Sequence, residues 1–182
     1  MRSLHLILLS AAAMLWTAAP AGAATPEARA AWQQARDMAD ANYKNARARC
    51  DVLAGNPKDL CVAEAKAQRV HEQESARARL EDTLKAYTRA RMRIASANYD
   101  RDKARCAGFA GNDKDVCQAQ AKAALVAAQA DAKADSKTIE ARNEARDDKL
   151  EAAWRVAKQR CDAFAGAAKD QCLASAKTEF GK

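Results

Sequence analysis

Large apolar side chains are sparse along this chain, and those present fall at helical spacing. Leu80, Leu84, Tyr87 and Ile94 keep a coiled-coil interval, interrupted by Arg91; Leu150, Trp154, Ala157, Cys161 and Phe164 keep it again further on. Glycine and proline punctuate the pattern. Pro26 stands at the start of a first helical stretch, 26–54, that carries Trp32, Met38 and Tyr43. Neither residue type occurs between Lys58 and Ala107, nor between Asn112 and Ala165, so the direct expectation is two helices of about 50 residues, each roughly 75 Å long. A last helix is expected from about Ala168 to Phe180. The fold class is therefore all-α: long antiparallel, coiled-coil-like helical hairpins.

The turns repeat. Cys50 to Cys61, Cys106 to Cys117 and Cys161 to Cys172 each place one cysteine five residues before a glycine and the other six after it, and together they use all 6 cysteines. Gly55 and Gly111 sit where a left-handed residue ends a helix. Asn56 and Asn112 follow as expected N-caps, with Pro57 at a first helical position. Ala167 replaces the asparagine in the third copy. In a tight hairpin these cysteines stand level on facing helices, which favours a disulfide within each repeat over the other connectivities. Each should add roughly 3 kcal/mol. A metal site or a redox pair would call for C-x-x-C spacing and further ligands, and the only histidine after the leader is His71.

The repeat reaches past the turns. Tyr43, Tyr99 and Trp154 each stand seven residues before a first cysteine, on the same stripe, and are expected in the core. Ala65-Lys66-Ala67, Ala121-Lys122-Ala123 and Ala176-Lys177-Thr178 follow each second cysteine. The repeats cover about 39–70, 95–126 and 151–180, spaced close to eight heptads apart. Continuous helices would put the first and third turns at one end. The second would then close a bare two-helix arm, open to self-association, where loss of its disulfide should cost most local order.

Residues 1–23 have the form of a secretory signal: Arg2, an apolar run from Leu6 to Trp16, and Ala21-Gly22-Ala23 as a cleavage site. The domain then spans 24–182. Export and paired cysteines together point to an oxidising compartment, here a bacterial periplasm. Leu, Ile, Val and Phe number only 18 of the remaining residues, against 42 alanines, so the core must be thin and built of small side chains.

Charge alternates in sign along most of the chain, as on solvated helix faces. From Lys85 to Arg105 it does not. Lys85, Arg89, Arg93, Arg101 and Arg105 share a four-residue ridge, a candidate for binding envelope polyanions such as acidic lipid, with nucleic acid not expected. Asp131 and Asp135 are expected opposite this segment. No nucleophile elbow, phosphate-binding glycine loop or H-E-x-x-H motif is present, and His71 lies in a charged run. No catalytic residue, cofactor or metal ligand is assigned, and the reading is of a non-enzyme.

The unit Tyr43…Cys50…Gly55-Asn56…Lys58-Asp59…Cys61…Ala65-Lys66-Ala67 resembles exported proteobacterial Ala/Lys-rich proteins loosely labelled TolA-like or cell-envelope biogenesis proteins. The resemblance implies a periplasmic helical protein with a structural or envelope-associated role and supplies no catalytic residues. A second class, an ATP-independent periplasmic chaperone, fits a small basic helical-hairpin protein, although the L-T-x-x-Q motifs of the Spy-like group are absent.

Overall fold

The computed structural model describes residues 24–182; the expected leader lies outside the described residues. Five helices follow one another: α1 (Pro26–Arg49), α2 (Gly55–Glu81), α3 (Leu84–Cys106), α4 (Gly111–Cys161) and α5 (Gly166–Phe180), with one 3-10 turn, Cys50–Val52, after α1. No strand occurs among the described residues. Thr25 caps α1 by accepting from the Ala28 N–H at 3.2 Å, and Pro26 occupies its first turn.

The three expected disulfides are present: Cys50–Cys61, Cys106–Cys117 and Cys161–Cys172, with Cα separations of 5.7, 5.5 and 5.7 Å. At each turn the glycine takes a positive φ, 59° at Gly55 and 55° at Gly111, and starts the following helix. Space does not demand glycine there, since an added Cβ would meet nothing within 4 Å; the backbone angle does. The asparagines do not cap. No side chain caps α2, α4 or α5, and Asn56 instead donates from Nδ2 to the Ala104 carbonyl of α3 at 2.7 Å.

That bond reveals a topology different from the expected one. The stretch from Lys58 to Ala107 is not one helix. It bends at Asp82, whose φ of 42° and ψ of 45° place it in the left-handed region. Aspartate tolerates this conformation better than most side-chain-bearing residues, so a bend needs no glycine. Thr83 then turns extended and caps α3, its Oγ1 accepting from the Ala86 N–H at 3.1 Å. Tyr87 donates its hydroxyl to Asp82 at 3.1 Å. Glu81 closes the bend by accepting from Arg77 at 2.9 Å and Arg89 at 2.6 Å.

Each helix packs against its neighbour in the chain, so α2 and α3 both lie between two others. The bend brings the first and second turns to the same end, linked by Asn56 and Ala104. The third turn stands alone at the far end of α4. The 51-residue α4 is about 75 Å long, and α3, with 23 residues, covers less than half of it. Residues 141–150 are exposed throughout, and α5 returns only along the end of α4. The bare two-helix arm is thus the third turn, not the second.

Among the described residues the buried ones are alanine and cysteine alone, including Ala39, Ala78, Ala86, Ala132, Cys50 and Cys106. The Ala-Lys pair shared by the three copies now has a reason. Its alanine, Ala65, Ala121 or Ala176, lies one turn beyond the second cysteine and is buried in all three copies. Where the disulfide draws two helices together, only a methyl group fits between them in the next turn. Larger side chains are displaced outward: Met38, Val126, Ile139, Leu150 and Val156 are all exposed.

Two outcomes follow from this packing. Ala86→Leu, which forces a larger group into a filled seam, should destabilise by roughly 1–3 kcal/mol in thermal unfolding followed by circular dichroism, whereas Val126→Leu should change little. Replacing Cys161 and Cys172 by serine should remove hydrogen-exchange protection from all of α5. The same change at Cys106 and Cys117 should cost less, because α2 and α3 still hold that end.

Candidate functional site

The chain offers surfaces rather than a closed site. The basic ridge lies on α3, but α2 answers most of it. Arg89 pairs with Glu81, Arg93 reaches Glu74 at 2.9 Å, Arg101 reaches Asp102 at 2.9 Å, and Arg105 lies 3.3 Å from Asp102 and 3.8 Å from Glu64. Lys85 is the ridge member in no ion pair among the described residues. Arg91, off the ridge, bonds Asp135 of α4 at 2.7 Å, as the spacing predicted, whereas Asp131, expected to face the same segment, is in no ion pair among the described residues. The ridge is brought together on one face, yet its charge is largely matched by Glu64, Glu74 and Glu81 of α2 and by Asp102 of α3 itself. Such exposed pairs contribute little to stability, but they leave less free positive potential for a polyanion.

Beside the ridge, α2, α3 and α4 form an open groove of about 830 Å³. Val70 and Met92 supply its apolar surface, Thr88, Ser96 and Gln129 its neutral polar groups, and Arg89 and Glu140 part of its charged rim. A second groove of about 700 Å³, between α1, α2 and α3, shares Val70, Ala97 and Asp100 with it. Both are shallow valleys between helices, without a buried titratable group that could be tuned for proton transfer.

The turns supply a feature that sequence reasoning missed. Three residues after each first cysteine stands a large apolar residue: Leu53, Phe109 and Phe164. Each donates its backbone N–H back to that cysteine's carbonyl at 3.1 Å, and each is held 40, 49 or 53% exposed. The signal was in the repeat, where Leu or Phe always precedes Ala-Gly. At the first and third turns a lysine three residues past the glycine also reaches back to an aspartate beside the first cysteine, Lys58 to Asp51 at 3.2 Å and Lys169 to Asp162 at 2.9 Å. Ala107 leaves Lys114 without that partner at the second.

The aromatic residues of the repeat are half-buried rather than in the core. Tyr43 lies under Arg69 at 5.1 Å, Tyr99 beside Lys103 and Lys122 at 5.3 and 5.6 Å, and Trp154 beside Lys158 at 5.8 Å and Phe180 at 6.1 Å. His71 is exposed, as expected. Among the described residues no group of His, Cys, Asp and Glu is placed to hold a metal ion, and no described helix is long and apolar enough to cross a membrane. Comparison with protein-family models, with curated proteins and with solved structures returned no significant match.

Several carboxylates carry lowered pKa values, Glu27, Asp51, Glu81 and Glu151 among them. Hydrogen bonds from Arg47 and then Lys58 hold Asp51 below its ordinary range, and those from Arg77 and then Arg89 do the same for Glu81. A carboxylate depressed in the folded state contributes stability above its unfolded pKa and loses it as pH falls through the folded value. The melting temperature should therefore hold near neutral pH and fall below about pH 4. Added salt should reduce the size of that step, because these pairs face solvent. A melting temperature flat from pH 7 to pH 3 would show that the pairs carry no stability.

Proposed function

We propose that this chain is a non-enzymatic helical protein of a bacterial periplasm with a structural or envelope-associated binding role. The observation that carries this reading is the inversion of its side chains. Alanine and cystine fill the interior while Leu53, Phe109, Phe164 and other large apolar groups stand at the surface. A protein that contributed these groups only to its own stability would bury them. Three staples make the frame that presents them, and they suit an oxidising compartment. The turn residues replace the basic ridge as the first candidate contact, since the ridge is largely matched by α2. Envelope proteins are the partner class, with acidic envelope polymers second.

A chaperone role is the second reading. The open grooves favour it, because they join apolar surface to both signs of charge, a combination that holds unfolded segments weakly and without sequence preference.

Cross-linking followed by mass spectrometry of envelope material would test the first reading. The triple variant Leu53→Ser, Phe109→Ser, Phe164→Ser should lose most captured partners while its melting temperature moves little. Charge reversal at Arg89, Arg93 and Arg101 should leave them in place. Unchanged capture by the triple variant would remove the turns from the binding role. Suppression of client aggregation by the wild type, lost when Val70 and Met92 become serine, would favour the chaperone reading.

A further inference from the structure

Two successive segments of this chain are nearly equal in length and differ in shape. Gly55 to Cys106 is bent into α2 and α3; Gly111 to Cys161 is straight. The 55-residue repeat relates Thr83-Leu84 at the bend to Thr138-Ile139 in the middle of α4. Thr83 caps a new helix, whereas Thr138 donates its hydroxyl to the Ala134 carbonyl inside a continuous one. One sequence position thus supports both states.

The straight segment is left with an uncovered stretch. Ile139, Asn143, Arg146 and Leu150 continue the stripe that carries Ala132 under α3 and Trp154 near α5, yet all four are exposed. Straightening the bend would supply a cover. Continuing the register set by Cys106 and Cys117 brings the end of α2 alongside this stretch, with Leu80 level with Asn143 and Leu84 with Ile139. The same register sets Glu74, Arg79 and Glu81 level with Lys149, Glu144 and Arg142, opposite in charge in each case, with Arg77 beside Arg146 as the exception.

We propose that Asp82–Thr83 is a hinge between two folded forms of this chain, the bent form described above and an extended form in which α2 and α3 join into one helix and the end of α2 covers α4. What holds the bent form is local: the left-handed Asp82, the Thr83 cap, and the Glu81 carboxylate between Arg77 and Arg89. Asp82 is the only non-glycine residue with positive φ among the described residues. In the extended form the first turn leaves the second and moves to the end of the third.

Fluorescent labels introduced through non-natural amino acids at Asp59 and Asp113, both exposed and at one end of the bent form, would read this change by single-molecule energy transfer on the full chain. Their separation would grow to roughly 75 Å in the extended form. The wild type should show a major high-transfer and a minor low-transfer population. Asp82→Ala, which disfavours the left-handed angle and favours helix, should raise the low-transfer fraction roughly fivefold, and Asp82→Gly should lower it. Circular dichroism and disulfide mapping of each variant would show that it still folds. A purely high-transfer distribution in both the wild type and Asp82→Ala would overturn the hinge. Low transfer found only in particles of dimer mass by light scattering would also overturn it, in favour of exchange between copies.

Discussion

Everything in this molecule depends on how closely the three disulfides hold their helices. Each joins cysteines 11 residues apart around a glycine with a positive φ, and each sets two backbones 5.5–5.7 Å apart at the joined Cα atoms. At that approach the next turn has room for a methyl group and little more, so Ala65, Ala121 and Ala176 fill it. Alanine buries little area and so contributes little through the hydrophobic effect. It costs no side-chain entropy, however, and it is the best helix former. The frame is thus held by helix propensity and covalent closure more than by a large apolar core. That is how a chain so poor in Leu, Ile, Val and Phe still folds.

This balance decides what the sequence could disclose. The helical class, the three pairings and the exposed His71 were legible because each rests on local chemistry: alanine content, glycine at a turn, a histidine within a charged run. The arrangement of the turns was not. It hinges on Asp82, where glycine and proline are both absent and the usual punctuation is silent. The cue was the Asp-Thr pair, an aspartate that accepts a left-handed angle followed by a good N-cap, but the same Thr sits unbroken inside α4 at position 138. The threonine alone does not choose between the two; at the bend it is joined by Asp82, where α4 has Lys137, and by the Glu81 carboxylate held between Arg77 and Arg89. The asparagine caps failed for a related reason. With the first and second turns side by side, Asn56 donates its Nδ2 to the Ala104 carbonyl, and its side chain does not accept from the free N–H groups of its own helix start.

The ridge shows how a sequence-level charge pattern changes meaning in three dimensions. Five basic residues in a row of four-residue steps are a strong field only if nothing answers them. The bend lays α2 beside α3, and Glu64, Glu74 and Glu81 come with it. A straight helix would have left those carboxylates elsewhere. The electrostatic surface of α3 is therefore set by Asp82 as much as by the arginines themselves.

The same geometry separates the roles of the two ends. At one, four helix termini and two staples meet, and the contact from Asn56 ties them. At the other, α4 and α5 alone share a staple and the Trp154–Phe180 contact, with Lys182 reaching Glu151 at 2.9 Å. Between them α4 runs uncovered for about three turns or more. A helix of that length in water is weak on its own and gains from any neighbour that covers its apolar stripe. With large side chains turned outward and so little buried in any one contact, no single packing is much deeper than the next. What singles out the bent arrangement is a few polar contacts around residues 81–87, which makes that short segment the place where the shape of the whole chain is decided.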